Sequence, residues 1–389
     1  MKVNISHKRI GDVADVAAGQ GAPQGDENYC LYGTPFIKAG NLEYLVNGGD
    51  ENEVQKVSDE VAAQHRLKLY PAGSIVFAKS GMSCLKGYIY VLKNDCYVVS
   101  HLAILTPQQI LSAYLSYCLQ YYRPNSLIRD KAYPSISLAD ITNFSIPCPV
   151  LDEQKSIVDE LDSITNIITD KRKQLIELDN LIQSIFLDTF GDPLLNQKNW
   201  DVKKMVDICT EFRYGTSKPA STDGKYKYLR MCNITYDGYI DLSDVKAIDI
   251  PDKEIEKCIV RRGDILFNRT NSLELIGKTC MFDEEEPMVI AGYIIRVRLD
   301  DCVLPVYVAR AFNMPSMKKL LRTIAKGAVN QVNINAKELA LISLPLPPFS
   351  LQQKFEKKIQ IIEDQKTLIK RSIKEFENLL AQRMEFHFA

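Results

Sequence analysis

The chain has 389 residues, of which 46% are hydrophobic and 25% are charged, and its formal net charge is −1. Such a chain can bury the cores of two or three domains, and its balanced charge argues against a strongly basic nucleic-acid-binding protein. The N-terminus MKVNISHKRIGDVADV has no apolar run of signal-peptide length, and no segment approaches the roughly 18 apolar residues of a membrane span. We therefore expect a cytoplasmic protein without a membrane partner.

The first segment, residues 1–150, predicts an α+β globule. The runs SIVFA and GYIYVL are rich in β-branched and aromatic residues and are bounded by glycine, asparagine and aspartate, which is typical of strands. The later stretch QQILSAYLSYCLQYY predicts a helix. The glycine pair in AGQG, residues 18–21, is interpreted as structural.

Residues 151–190 predict one long helix. Its apolar residues alternate in steps of four and three, a period of about 3.5 that is broken once at Lys171. Asp152 is a plausible N-cap, and Gly191 with Pro193 predicts the end of the helix. The residues of this apolar seam are Ile157, Leu161, Ile164, Ile168, Leu175, Leu178, Ile182 and Ile185.

The second half repeats this order. Residues 191–349 predict another α+β globule, with the strands DILFN and MVIAGYIIRVRL and the helix PVYVARAFNM. Residues 350–389 predict a second long helix that opens with a capping-box pattern, Ser350 and Gln353, and is broken at Lys366. Its seam residues are Phe355, Ile359, Ile362, Ile369, Ile373, Phe376 and Leu380.

The two halves form an internal duplication. FSIPCPVLDEQ and ISLPLPPFSLQ align without gaps, so Gln154 matches Gln352 at an offset of 352 − 154 = 198. AGSIVFAKSG matches RGDILFNRTN at 190, and IKAGNLEYL matches LRMCNITYD at 192. Sustained heptads at matched positions favour pairing of the two long helices with each other, the alternative being that each is a core helix of its own domain.

No motif predicts catalysis or metal binding. The chain has no phosphate-binding GxxxxGK[ST], HExxH, GxSxG, FxGxG or [DN]PP[FY] motif, and its ten cysteines occur without a CxxC pair. The four histidines are too dispersed to predict a general base. We expect no catalytic residue and no metal ligand.

Together, the duplication, the paired prolines before each long helix, the helix end LDTFGDPLLNQKNW and the strand and loop RGDILFNRTNSLELIGK resemble the specificity subunits of type I restriction-modification systems. The resemblance spans the whole chain. It implies two target recognition domains separated by two long helices that form an antiparallel coiled coil, with a pseudo-twofold internal repeat. The corresponding domains are residues 1–150 and 191–349, and the spacer helices are residues 151–190 and 350–389.

The same resemblance implies a function in DNA recognition. Each recognition domain would read one half of a bipartite, asymmetric target in double-stranded DNA, while the helices fix the spacing and dock two adenine methyltransferase subunits. Restriction subunits with motor and nuclease activity would join them. The partners would use S-adenosylmethionine, ATP and Mg²⁺, and no cofactor is expected on this chain.

Polar loops with a cation beside small hydrogen-bonding residues are the candidate DNA contacts, since phosphate contacts position a reader and base contacts specify the sequence. Arg269 is predicted to pair with guanine, Asn271 with adenine, and Lys278 with a phosphate. For any one of these residues the alternative is a solvated turn. The candidates are Lys38, Asn41, Lys79, Ser80, Ser83, Lys86, Arg129, Lys131, Tyr133, Arg213, Tyr214, Lys218, Arg230, Asn233, Arg269, Asn271, Lys278, Lys326, Asn330 and Gln331.

Two other functions stay open at this point. The chain could be the specificity partner of a methylation or restriction-methylation enzyme that lacks a motor. It could also be a coiled-coil scaffold that binds only proteins. An unrecognised hydrolase is disfavoured by the missing motifs.

Overall fold

The computed structural model describes residues 6–328 and 330–389, so the first five residues of the predicted first domain lie outside it. The chain divides into two compact units. The first unit comprises residues 1–171 and 372–389, and the second comprises residues 172–371. Each unit therefore contains one α+β globule and a part of both long helices.

The first unit is built around a four-stranded antiparallel sheet in the order Ala14–Ala18, Leu102–Pro107, Ile75–Ala78, Ile89–Val91. A second sheet has the order Lys56–Val57, Thr34–Ile37, Tyr97–Val98, and a two-stranded sheet pairs His7–Arg9 with Ser145–Pro147. The short helices are Leu42–Val46, Asp59–Gln64, Ser112–Tyr122 and Leu138–Thr142, and residues 151–171 of the first long helix, Leu151–Phe190, also belong to this unit.

The second unit has the same plan. Its main sheet has the order Cys209–Tyr214, Ile294–Leu299, Ile265–Asn268, Thr279–Met281, and its second sheet the order Lys246–Ile248, Tyr226–Leu229, Met288–Ile290, Ile259–Val260. Asp201–Lys204 pairs with Ser343–Leu346, and a small sheet contains Thr270–Asn271, Gln331–Asn333 and Lys326–Ala328. The short helices are Asp252–Cys258, Pro305–Asn313, Pro315–Ile324 and Ala336–Ala340, and residues 349–371 of the second long helix, Phe349–Phe388, also belong to this unit.

The equal strand order of the two main sheets confirms the predicted internal repeat at the level of structure, while the second sheet has one strand more in the second unit. In both units the strand nearest the N-terminus of the globule pairs with the strand that precedes a long helix. In both, one pair of the second sheet is parallel whereas the main sheet is antiparallel. The weak sequence match between the halves therefore reflects one fold with different loops.

Gly19 of the AGQG stretch has a structural role, and Gly215 repeats it in the second unit. A Cβ atom at Gly19 would collide with the carbonyl groups of Val98 and Val99, and one at Gly215 would collide with those of Ile290 and Ala291. Only glycine lets these two backbone segments approach so closely.

The two long helices pack against each other in opposite directions within each unit. In the first unit, Glu160 near the start of the first helix binds Arg383 and His387 near the end of the second. In the second unit the order is reversed, since Phe190 at the end of the first helix contacts Phe355 at the start of the second, with 5.0 Å between ring centroids. The heptads predicted that the two helices pair, and the antiparallel direction is the one that the resemblance implied.

All predicted seam residues are buried or half-buried. The structure adds buried residues that the 3.5-residue period did not include, namely Phe186, Phe190, Met384 and Phe388. Both predicted N-terminal caps are wrong, because the helices begin one residue earlier, at Leu151 and Phe349, and so place Asp152 and Ser350 in the first turn.

Lys366, which breaks the predicted seam, is 1% exposed. Its ammonium donates hydrogen bonds to Asp179 of the first long helix and to the hydroxyl of Tyr239. The Tyr239 hydroxyl also bonds to Asp179 at 2.8 Å and Glu363 at 2.9 Å, and Glu363 pairs with Arg310. Burial raises the pKa of Tyr239, so this phenol stays protonated. The seam of the second unit therefore contains a buried ionic network at the position where the apolar period fails.

The repeated glutamine binds the backbone of the repeated prolines. Gln154 accepts the N–H of Leu111 at 3.0 Å and donates to the carbonyl of Pro149 at 2.8 Å. Tyr114, in the helix that follows Leu111, donates to the carbonyl of Pro147. The glutamine thus joins the start of a long helix to the start of a short helix in the globule.

The second unit repeats the glutamine contacts. Gln352 is fully buried, accepts the N–H of Leu304 at 2.8 Å and donates to the carbonyl of Pro347 at 2.8 Å. Tyr307 donates to the carbonyl of Pro345 at 2.6 Å. Both halves therefore have the same set of hydrogen bonds at the junction of the globule and the long helix. We call this set of bonds the polar clamp.

Gln352→Ala should destabilise the second unit by about 2–4 kcal/mol, because it leaves the half-buried N–H of Leu304 and the buried carbonyl of Pro347 without their partner. Urea unfolding followed by the fluorescence of Trp200, the only tryptophan and a residue of this unit, measures the change. The neighbouring Gln353 is exposed, so Gln353→Ala is the matched control and should leave the midpoint in place. Equal midpoints for the two variants would contradict the clamp.

Candidate nucleic-acid interface

Two of the predicted loops meet in the first unit. The strand Ile75–Ala78 ends at Lys79, whose N–H donates to the carbonyl of His101 and whose carbonyl accepts the N–H of Ile136 at 2.8 Å. Gly81 then donates to the carbonyl of Pro134 at 3.0 Å. These bonds place the loop with Lys79, Ser80, Ser83 and Lys86 beside the loop with Arg129, Lys131 and Tyr133.

The second unit joins the equivalent loops with the same bonds. Arg269 follows the strand Ile265–Asn268, donates its N–H to the carbonyl of Tyr293 at 2.9 Å, and accepts the N–H of Ile334 at 2.9 Å. Thr270–Asn271 then pairs with Gln331–Asn333. Residues Arg269 and Asn271 therefore lie next to the segment that holds Lys326, Asn330 and Gln331. We call these two joined loops in either unit the paired loops.

The paired loops of the first unit expose apolar and polar groups together. Tyr133 is 83% exposed and Met82 is 68% exposed. The Ser80 hydroxyl lies 2.9 Å from Nδ1 of His101, while Ser83 is half-buried and Lys131 is exposed. This surface can offer hydroxyl groups, a thioether and an aromatic ring to a partner.

Three of the five predicted cations of this unit, Lys38, Lys86 and Arg129, have local partners. Lys86 pairs with Glu43 and Arg129 with Asp140 at 3.2 Å, on exposed side chains for which such pairs contribute little to stability. Lys38 lies 4.1 Å from the centroid of the Tyr29 ring and donates to Gln55, and its N–H binds the side chain of Asn41. Asn41 is therefore a local cap.

In the second unit, Arg269 is held in one orientation. Its guanidinium lies 4.8 Å from the centroid of the Tyr214 ring, and Nη1 donates to the carbonyl of Gly292 at 3.2 Å. The Tyr214 hydroxyl in turn accepts the N–H of Ala336 at 2.8 Å. A stacked guanidinium loses less conformational entropy when it binds a flat acceptor, which favours the predicted pairing of Arg269 with a base.

Other predicted DNA contacts of the second unit already bind neighbouring groups of the same chain. Arg213 pairs with Glu211 and Lys218 with Glu254, both through exposed or half-exposed side chains. Asn271 is half-buried, donates to Asn268 at 2.9 Å and accepts the N–H of Ser272. Lys326 pairs with Glu338 at 2.6 Å, although its side chain is 79% exposed.

Arg230 and Asn233 hold one loop together. Arg230 pairs with Asp244 at 2.7 Å, and Asn233 is 2% exposed, accepts the N–H of Arg230 and donates to the carbonyls of Asp241 and Asp244. These bonds give Asn233 a structural role.

Lys278 is also turned inward, which differs from its predicted place on a phosphate. The residue is 8% exposed, and its ammonium donates to the carbonyls of Met231 and Ile234. Burial lowers the pKa of Lys278, and the same cause lowers the pKa of the neighbouring buried Lys318 to about 8. Lys318 donates to the carbonyls of Tyr236 and Gly277. Both lysines therefore hold the backbone of the loop at residues 231–236 from its buried side.

The sequence analysis missed two residues at equivalent places in the paired loops. His101 and Tyr293 accept the N–H groups of Lys79 and Arg269, and Tyr293 is 51% exposed. Their offset, 293 − 101 = 192, equals the offset of the aligned stretches IKAGNLEYL and LRMCNITYD. A gap-free extension of that alignment would not have found them, because AGSIVFAKSG and RGDILFNRTN, which lie in between, match at an offset of 190.

One family of known proteins matches both halves of the chain. The family model for the type I restriction modification DNA specificity domain matches residues 2–178 and residues 197–378, one copy in each half. This chain belongs to that family. The predicted resemblance is therefore confirmed, as is the predicted fold, and the family is one of DNA target recognition.

Individual relatives agree with the family. The specificity subunit of the type I restriction enzyme EcoKI from Escherichia coli K12 is 23% identical over 353 residues, which are 84% of this chain and 74% of the relative. The solved specificity subunit from M. genitalium has a TM-score of 0.52 at 14% identity and covers 100% of this chain and 97% of its own. A chain from a type I system, solved to explain complex assembly and conformational transition, has a TM-score of 0.54 at 17% identity, with 98% and 96% covered.

The described residues were also compared with the requirements of a membrane span and of a metal site. Within residues 6–328 and 330–389, no helix is both long and apolar enough to cross a bilayer. In the same residues no group of three or more histidine, cysteine, aspartate or glutamate side chains could hold a metal ion.

Proposed function

We propose that this chain reads a bipartite, asymmetric target in double-stranded DNA, one half with the paired loops of each unit. The observation that supports this is the position of those loops. The same strand end and the same backbone bonds join them in both units, but the exposed side chains differ. Two similar frames with different donors and acceptors are what two different half-sites require.

The chain itself would be non-catalytic. In this proposal two adenine methyltransferase subunits dock on it and use S-adenosylmethionine on adenines taken out of the duplex, one in each half-site. Restriction subunits with ATP and Mg²⁺ would add cleavage, and the complex would work in the cytoplasm. No cofactor would bind to this chain. The long helices, each 40 residues or about 60 Å at ~1.5 Å per residue, would fix the distance between half-sites.

The near-neutral net charge of this chain supports a model in which its partners bind most DNA phosphates and this chain discriminates between bases. Release of counterions from DNA needs exposed Lys and Arg, whereas several cations near the paired loops are already in ion pairs. The methyltransferase partners would then supply much of the phosphate binding, and this chain would supply discrimination. We expect weak DNA binding by the isolated chain and tight binding by the complex.

Modification mapping tests the proposal. The chain is co-expressed with its cognate methyltransferase subunit in a host without adenine methylation, and N6-methyladenine is located by single-molecule sequencing. The expected result is one bipartite motif, methylated on both strands and lost when this chain is omitted. Exchange of residues 1–150 for those of another such subunit should change one half of the motif only. A stable complex without methylation, or a motif that survives omission of the chain, would contradict the proposal.

A further inference from the structure

The paired loops of the second unit contain a β-hairpin that the first unit lacks in the described residues. Lys326–Ala328 pairs antiparallel with Gln331–Asn333, and Thr270–Asn271 continues the sheet. In the first unit the corresponding contact is one isolated bridge between Ser80 and Ser135. We refer to the strands Lys326–Ala328 and Gln331–Asn333, together with Asn330, as the reading hairpin.

The reading hairpin is fixed at its base. Val332 is 3% exposed and Ile334 is fully buried, so both anchor the second strand in the core. The Thr270 hydroxyl lies 3.0 Å from Oδ1 of Asn333. Gly327 has a φ of +133°, and a side chain there would meet the carbonyl of Gln331, so glycine lets the two strands approach. These contacts hold the hairpin rigid relative to the globule of its own unit.

The far end of the hairpin has free hydrogen-bonding groups. Asn330 and Gln331 are exposed, as is the whole strand Lys326–Ala328. Neither amide side chain has a hydrogen-bond partner in the part of the chain that the structure describes, in contrast to the amides of Asn271 and Asn233. Because an exposed amide carries both a donor and an acceptor, it can bind a surface that offers the same pair in reverse.

A two-stranded ribbon has the width that the major groove of B-DNA admits. In that groove adenine presents the N7 acceptor beside the N6 amino donor, and a glutamine or asparagine amide matches both at once. We propose that Gln331 and Asn330, carried by the reading hairpin, select an adenine–thymine pair in the half-site read by the second unit. This rests on the proposed function and adds which base pair is read, and by which element.

The first unit should read its half-site differently. At the corresponding place it offers Tyr133, Met82 and the Ser80 hydroxyl, with no exposed amide on a hairpin. An adenine contact through an amide ribbon is therefore expected in one half-site only. Exchange of residues 1–150 identifies which half belongs to which unit before the variants are made.

The purified complex of this chain with its methyltransferase partner tests the proposal on short duplexes. Each A·T pair of the second unit's half-site is replaced in turn by 7-deazaadenine paired with thymine, which removes only the N7 acceptor. At one position the analogue should lower wild-type methylation at least fivefold, and Gln331→Ala or Asn330→Ala should remove that sensitivity. Gln331→Glu should shift preference at the position towards cytosine, since a carboxylate accepts from the cytosine amino group.

Controls separate this inference from the proposed function. Gln109→Ala changes an exposed glutamine of the first unit and should leave the response to 7-deazaadenine unchanged. If the wild-type complex reads a bipartite motif but no position of the second half-site depends on Gln331 or Asn330, the hairpin inference is overturned and the proposed function stands. If the sensitive position lies in the first unit's half-site, the hairpin inference is likewise overturned.

Discussion

Asp179→Ala should destabilise the second unit by about 3 kcal/mol, because it removes one partner from a lysine that has almost no access to water. Lys366 is 1% exposed, and its ammonium would keep only the Tyr239 hydroxyl and Glu363, whose carboxylate lies 3.6 Å away. Urea unfolding followed by Trp200 fluorescence reports on this unit and measures the loss.

Removal of the Lys366 ammonium should cost much less stability than removal of the Asp179 carboxylate. The side chain of Asp179 is 36% exposed, so water can solvate its carboxylate when Lys366→Met removes the ammonium and keeps the apolar volume. We expect a cost below about 1 kcal/mol for Lys366→Met, and recovery of most of the lost stability when the two substitutions are combined. Equal losses for Asp179→Ala and Lys366→Met, or additive losses in the double variant, would contradict the burial of the charge as the cause.

Arg269→Ala should relax one position of the half-site that the second unit reads. A bidentate contact between a guanidinium and guanine is worth about 1–3 kcal/mol, or roughly 5- to 150-fold in discrimination. Tyr214 and Gly292 hold the guanidinium of Arg269 in a fixed plane at the end of its strand. Mapping of N6-methyladenine in cells that carry the variant should show a motif with one degenerate guanine in the half-site of the second unit. The half-site of the first unit should be unchanged.

Arg262→Ala is the matched control for this experiment. Arg262 is exposed and precedes the strand Ile265–Asn268, whereas Arg269 follows it, so the two arginines lie at opposite ends of one strand. The control should leave the motif intact. A uniform loss of methylation in Arg269→Ala, without a degenerate position, would mean that the residue serves folding or phosphate binding instead of reading a base.

Local patterns were sufficient for the architecture. The two long helices, the strands and the duplication depend on side-chain periods of about 3.5 and 2 residues and on proline and glycine boundaries, which neighbours in the chain determine. The alignment at an offset of 190 placed Lys79 opposite Arg269, and the structure gives both residues the same backbone bonds. The heptads likewise predicted that the two long helices pair, whereas their antiparallel direction was implied by the family resemblance.

Partners of polar side chains could not be predicted in this way. Gln352 and Gln353 are adjacent and chemically identical, yet one is buried in a clamp with Leu304 and Pro347 and the other is exposed. In the sequence, Lys366 looked like a break in the apolar seam and Lys278 like a phosphate ligand. Sequence alone shows that each side chain is charged, but it does not show which groups surround it.

The amino-acid sequence by itself therefore determined the fold class, the internal repeat and the family of this protein, since these follow from local periods and spaced motifs. Only the tertiary structure decided which of the predicted polar residues are engaged by partners within the chain. A hydrogen bond such as that between Lys366 and Asp179 joins residues 366 − 179 = 187 positions apart, and the burial that makes it strong arises only when both helices and the globule of the unit pack together.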